Sequence, residues 1–223
     1  GILEYDGSVI WQLTTNRKFL DPTSWYHIVY TGDSTQSTAA DRLKMYVNGV
    51  QETSFADSTY AAQNTDFQFN KEMSGTSNGW IIGKSQTAGT SKFHGYLAHI
   101  HNIDGLAYPA STFGSTDATT GGWKPILTPS VTYGTNGFFL KFENAGAMGT
   151  DSSGNTNTFT GAGYLEQSLS TPSNDFCVLN YHECYEYERH MAMLWGGTTW
   201  RDADYANDGP KGAVGTLAAK GGK

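Results

Sequence analysis

Four groups of side chains in this sequence have types and spacings that could do chemistry. The first is Glu183-Cys-Tyr-Glu186-Tyr-Glu188. On a strand, Glu186 and Glu188 would share a face, because side chains alternate with period two. Two carboxyl groups on one face suit glycosidic-bond hydrolysis, where one serves as acid and the other as nucleophile or base. They suit a solvated strand edge equally well, and that is the favoured reading. The second group is His99 and His101, whose spacing is compatible with metal binding. No third histidine or cysteine follows at a recognisable offset, so histidines packed on a partly buried sheet are favoured. The third is Cys177, His182, Cys184 and His190, a C-x6-C-x5-H run unlike any common zinc finger. Zinc, a Cys177–Cys184 disulfide and free packed thiols all stay open, with packed thiols first. The fourth is Asp151, Asn155 and Asn157, oxygen-bearing residues alternating in a polar loop. Calcium takes such ligands, but Asp-Ser-Ser-Gly-Asn is also ordinary turn chemistry, and the turn is preferred.

Sugar binding would need an aromatic platform beside hydrogen-bonding loops, since apolar sugar faces stack on rings while hydroxyls meet amides and carboxylates. Trp80, Tyr108, Trp123 and Tyr133 are the candidates, with many Asn and Asp nearby. Against that stands the plainer expectation that Trp80 is core and Trp123 pins a loop. No G-x-S-x-G, P-loop or dinucleotide fingerprint occurs; glycines are spread among turns.

Positioning such groups falls to strands. Charged residues make up only 16% of the 223-residue chain and aromatics 13%, with 27 glycines, which suits short strands and tight turns better than a helical bundle. A net charge of -7 without a basic cluster argues against a nucleic-acid partner. No apolar run approaches the length of a membrane-spanning helix, so no membrane insertion is expected.

The clearest strands flank Asn48-Gly49. Trp25, His27 and Val29 alternate with Tyr26, Ile28 and Tyr30, and Leu43, Met45 and Val47 share a face opposite Arg42, Lys44 and Tyr46. Trp25, Leu43, Met45 and Val47 are the expected core. Asn48-Gly49 predicts a type I′ turn returning through Val50–Thr53. Further strands are expected at Ser8–Thr14, near Phe67, at Gly79–Lys84, at Phe93–Ile103 and at Gly137–Glu143. Asp104-Gly105 predicts a turn, Pro109–Phe113 a helical turn, and Gly121–Pro125 a break.

The stretches WYHIVY, DRLKMYVNGVQETSF and FHGYLAHIHNIDGLAYPASTFG, followed by TTGGWKPILTPSVTYGTNGFFLKFEN, TDSSGNTNTFTG and STPSNDFCVLN, resemble laminin G-like domains of the concanavalin A-like lectin/glucanase superfamily. The resemblance is narrower to versions in structural and fibre proteins of tailed phages, especially marine ones, and spans roughly residues 5 to 180. It implies an all-β fold, an antiparallel two-sheet jelly-roll sandwich over residues 1–170, with an irregular C-terminal extension or linker over 171–223. Such domains have further strands before the equivalent of Trp11, so the chain is expected to be an internal slice of a longer protein. The glutamates at 183, 186 and 188 depart from the E-x-D-x-x-E pattern of sandwich glucanases, and no enzyme is expected. The resemblance implies a virion structural protein, a tail fibre, capsid fibre or other appendage, present in the extracellular particle. Its partners would be other virion proteins, further copies of itself in a homo-oligomer such as a trimer, and host-surface glycans. No cofactor is expected beyond the calcium alternative at Asp151, Asn155 and Asn157. A glycan-depolymerising glycoside hydrolase and a secreted cell-adhesion module are the competing functions.

Overall fold

A computed structural model describes residues 1–5, 8–21, 24–67, 69, 80–83, 92–163, 165–168, 171–172, 193–195 and 199–201. It is an all-β structure: its helical content is one turn at Ala39–Arg42 and a 3-10 turn at Ala110–Thr112 among the described residues. None of these helices is long and apolar enough to cross a membrane. The chain divides into two compact units, residues 1–168 and 169–223.

The first unit opens with β1 (Ile2–Tyr5) and β2 (Val9–Thr15), antiparallel, with β6 (Phe55–Thr59) on the other side of β2. A second three-stranded sheet runs β3 (Ile28–Gly32), β4 (Leu43–Val47), β5 (Val50–Gln51). Along β4 burial alternates, with Leu43, Met45 and Val47 buried, so that strand reads as expected. Asn48 and Gly49 both take positive φ, 49° and 78°, as a type I′ turn requires. Trp11 and Leu13 from β2 join Leu43, Met45, Val47 and Ala61 in one core shared by the two sheets. Phe67 and Phe69 close over Trp11, with ring centroids 5.7 and 5.1 Å from it. Burying each of these large side chains is worth roughly 1.5–3 kcal/mol.

Several expected elements differ. Phe67 lies outside any strand; the partner of β2 is instead β6, whose Phe-Ala-Asp-Ser-Thr sequence is mostly exposed and so lacks an apolar alternation. Trp25 is half-buried beside Tyr96, at 6.2 Å, rather than in the core. Residues 80–83 carry no strand, and Trp80 is 44% exposed. The long strand expected over Phe93–Ile103 shrinks to β7 (Ile100–Asn102). His99 takes φ 47°, which turns the chain out of the extended path, and Phe93, Tyr96 and Leu97 lie exposed before it.

β7 pairs antiparallel with β10 (Phe138–Leu140), and β8 (Gly114–Thr116) with β9 (Trp123–Pro125). The Gly121–Pro125 break is therefore part of a small hairpin, with Gly121 at positive φ in its turn. Gly105 also has positive φ, as the Asp104-Gly105 turn demands. Phe138, Phe139 and Leu140 are all buried, so β10 is covered on both faces.

In the second unit, β11 (Met193–Trp195) and β12 (Thr199–Arg201) form an antiparallel pair with Leu194 opposite Trp200. Cys177, His182, Glu183, Cys184, Glu186, Glu188 and His190 lie outside the described residues.

Candidate functional site

The densest collection of chemistry-bearing side chains lies around β7 and β10. His101 stands opposite Phe139 in the ladder, and cross-strand partners share a face. Their rings stack at 4.0 Å. Tyr133 lies nearly parallel to both, and its hydroxyl and His101 Nδ1 share a hydrogen bond at 2.9 Å. Phe113 approaches His101 to 5.2 Å, and Tyr108 meets Phe113 edge-on. His99 sets its ring edge against His101 at 6.4 Å and Phe139 at 5.5 Å. Burial pushes His101 down to about 3, helped by the neighbouring His99 and His27, and pushes the Tyr133 phenol up to about 12, helped by Asp151. A neutral imidazole and a neutral phenol result: neither is a base or nucleophile poised near neutral pH.

His27 belongs to this neighbourhood although the sequence pointed only to His99 and His101. Its backbone is fixed by Asn48, which accepts from His27 N–H at 2.8 Å through Oδ1 and donates its own N–H to His27 O at 2.8 Å. Its ring lies 5.7 Å from that of Trp123. The Trp123 indole packs across two glycines, Gly49 and Gly114, where any Cβ would collide with it. Trp123 thus ties the β4–β5 turn to β8, as a loop pin would. No local signal in the sequence joined the stretches WYHIVY and AHIHNI, which lie far apart along the chain.

The four aromatic candidates for a sugar platform do not form one surface. Tyr108 and Tyr133 lie in the same aromatic layer, and Tyr108 Oη accepts from Thr132 N–H at 3.1 Å. Trp80 packs edge-on to Phe138, whose side chain leaves the opposite face of β10 from Phe139. Trp123 is at the His27 end. Of the four, Trp80 exposes the most ring, and it does not reach Tyr108 or Tyr133 by any ring contact among the described residues.

Asp151, Asn155 and Asn157 do come together, as a clamp. Asp151 Oδ1 accepts from Phe139 N–H (2.8 Å) and Ser153 N–H (2.9 Å), and Oδ2 from Ser153 Oγ (2.9 Å) and Asn157 N–H (2.8 Å). Asn155 Nδ2 donates to Gly134 O and Gly137 O, and Asn157 Nδ2 to Thr135 O and Gly137 O. Burial opposes ionisation of Asp151, but these hydrogen bonds outweigh it and hold the carboxyl below the usual carboxylate range. Both Asp151 oxygens, which a calcium ion would need, already accept two hydrogen bonds each, so they do not stand free for it. Nor does any group of three His, Cys, Asp or Glu stand ready for a metal among the described residues.

A cleft of about 250 Å³ opens elsewhere, lined by Lys44, Gln51, Glu52, Thr53, Phe55 and Tyr60 among others. Its charges are already paired: Lys44 Nζ with Asp41 at 2.9 Å and the buried Glu52 with Arg17 at 2.6 Å.

These features define an all-β protein whose polar side chains mostly brace loops. No protein-family model matches the chain, no curated protein matches it, and no solved structure does.

Proposed function

We propose that this chain is a non-enzymatic structural part of a virion, a tail fibre, capsid fibre or other appendage, built on a laminin G-like two-sheet jelly roll. Its work would be assembly contacts, with further copies of itself and other virion proteins, and attachment to host-surface glycans. The observation that carries the reading is the ordered run of phage-like stretches from Trp25 to Asn180. Three features support it. The two three-stranded sheets that share a core are what the two layers of such a sandwich would supply. Asp151 braces β10 and the loop that follows it, the use a structural module would make of it. Low charge and many aromatics suit a surface that packs against others.

Light scattering on the purified chain, joined to binding assays on host envelopes and immobilised glycans, tests the proposal. An oligomer that retains envelopes or virion partners is the expected result. A monomer that binds neither would overturn it, and so would cleavage of host polysaccharide.

A further inference from the structure

We infer that His27, His99 and His101 form an acid-sensitive latch that releases the β7–β10 face while the core between the β2 and β4 sheets stays folded. The inference goes beyond the proposed role and stands on the geometry of His99 and His101 in one aromatic layer, with His27 packed on Trp123 and near enough to act on His101.

Each ring is accommodated as a neutral group. His27 Nδ1 and His99 Nδ1 are buried with no hydrogen-bond partner among the described residues, as is the Nε1 of Trp123 beside His27. A protonated imidazole carries two N–H donors and a charge. At His101, Phe139 and Phe113 supply only apolar ring surface, and Tyr133 already occupies Nδ1. At His27 the neighbouring ring is Trp123. Burying an uncompensated charge in such surroundings is costly enough that the layer opens instead.

The charged groups that reach the cluster do not relieve it. His99 feels Lys141, which opposes protonation, and Glu143, which favours it; these two pair with each other at 3.7 Å. Lys141 also rests over the Phe139 ring, 5.6 Å from its centroid. His101 feels only its fellow histidines, so each proton taken up makes the next harder to place. Burial lowers His27 as well. All three therefore titrate lower in the closed layer than the roughly 6.5 of a free imidazole. The open form binds more protons, and falling pH drives opening through the window between about 6.5 and about 3.

The other core has no such group. Its buried members are Trp11, Leu13, Leu43, Met45, Val47 and Ala61, with no histidine among them. His99 adds a second weakness: its φ of 47° is a conformation that a bulky residue holds only under constraint, and opening relieves it.

The test is residue-resolved amide exchange on the full chain from about pH 7 down to about pH 4, a range that brackets imidazole protonation. The expected result is loss of protection at β7 and β10 with a midpoint inside that range, while amides of β2 and β4 stay protected. A variant with His27→Phe, His99→Asn and His101→Phe, plus Tyr133→Phe to remove the orphaned hydroxyl, is expected to lower the midpoint by at least about one pH unit. Asn suits the left-handed backbone at position 99. Loss of β2 and β4 together with β7 and β10, or an unchanged midpoint in the variant, would overturn the inference. Should the variant fail to fold, the imidazole resonances of the unmutated chain decide: titration near 6.5 with β7 and β10 still protected overturns it, and titration only as protection is lost upholds it.

Discussion

The two halves of the first unit are held together differently. Around β2 and β4 the interior is aliphatic and aromatic, and its strands bury alternate residues from one face each. Around β7 and β10 the interior is aromatic and imidazole, and β10 is buried on both faces by loops as much as by strands. The first arrangement rests mainly on the hydrophobic pattern, with the Trp11 indole N–H donated to Glu4. The second depends far more on groups whose hydrogen bonds and protonation must also be right, and so responds more strongly to the loss of neutrality at its imidazoles.

The largest effect expected from breaking that contrast is at Phe138, which packs edge-on to Phe159 at 4.8 Å and to Trp80 at 5.6 Å. Phe138→Ala should cost about 3–5 kcal/mol in denaturant unfolding, comparable to Leu13→Ala in the other half at about 2–5 kcal/mol. A cost under about 1 kcal/mol at Phe138 would mean that β10 is not a true interior strand. Next is Gly49→Val, which meets both the positive φ and the Trp123 ring. It should cost about 2–4 kcal/mol from strain and overpacking, and tryptophan fluorescence should report Trp123 displaced.

Asp151→Ala should cost about 1–3 kcal/mol, because the Phe139 and Asn157 N–H groups lose their acceptor. The folded carboxyl titrates below its unfolded value, so the stability it contributes is present above about pH 4 and disappears as pH falls through the folded value. Wild type and Asp151→Asn should therefore converge in stability in strong acid and differ at neutral pH. That window opens at about pH 4, inside the lower end of the histidine window, so melting curves at about pH 5.5 and at about pH 2 report the latch and the clamp in turn. The smallest effect is Lys141→Gln, within about 0.5 kcal/mol at neutral pH because its Glu143 partner is exposed and 3.7 Å away. It should nonetheless raise the His99 titration seen by NMR, since it removes the charge that opposes protonation there.

What was legible in the sequence follows the same division. Leu43, Met45 and Val47 could be placed because a half-buried antiparallel strand shows its period directly, and Asn48-Gly49 because few dipeptides tolerate two positive φ values. β6 was hidden, since an exposed strand beside β2 has no apolar period to show. The Phe93–Ile103 run misled in the opposite way. Its alternation is real in the letters, but the backbone leaves the extended path at His99, which periodicity cannot register. At the candidate site, Asp151, Asn155 and Asn157 were recognisable as polar loop residues. Their use as donors and acceptors for β10 and the Gly134–Gly137 turn needed the fold. His27 was missed as a neighbour of His101 because nothing local joins two strands so far apart along the chain.

The seat of Trp123 on Gly49 also carries a consequence for the order in which the molecule assembles. The β3–β4–β5 meander closes through short connections and can form as soon as its own residues are available, whereas the indole must arrive from much later in the chain. Loop-closure entropy penalises such distant contacts until nearer ones are in place. The Trp123 seat on Gly49 is therefore expected to fill after the meander has closed.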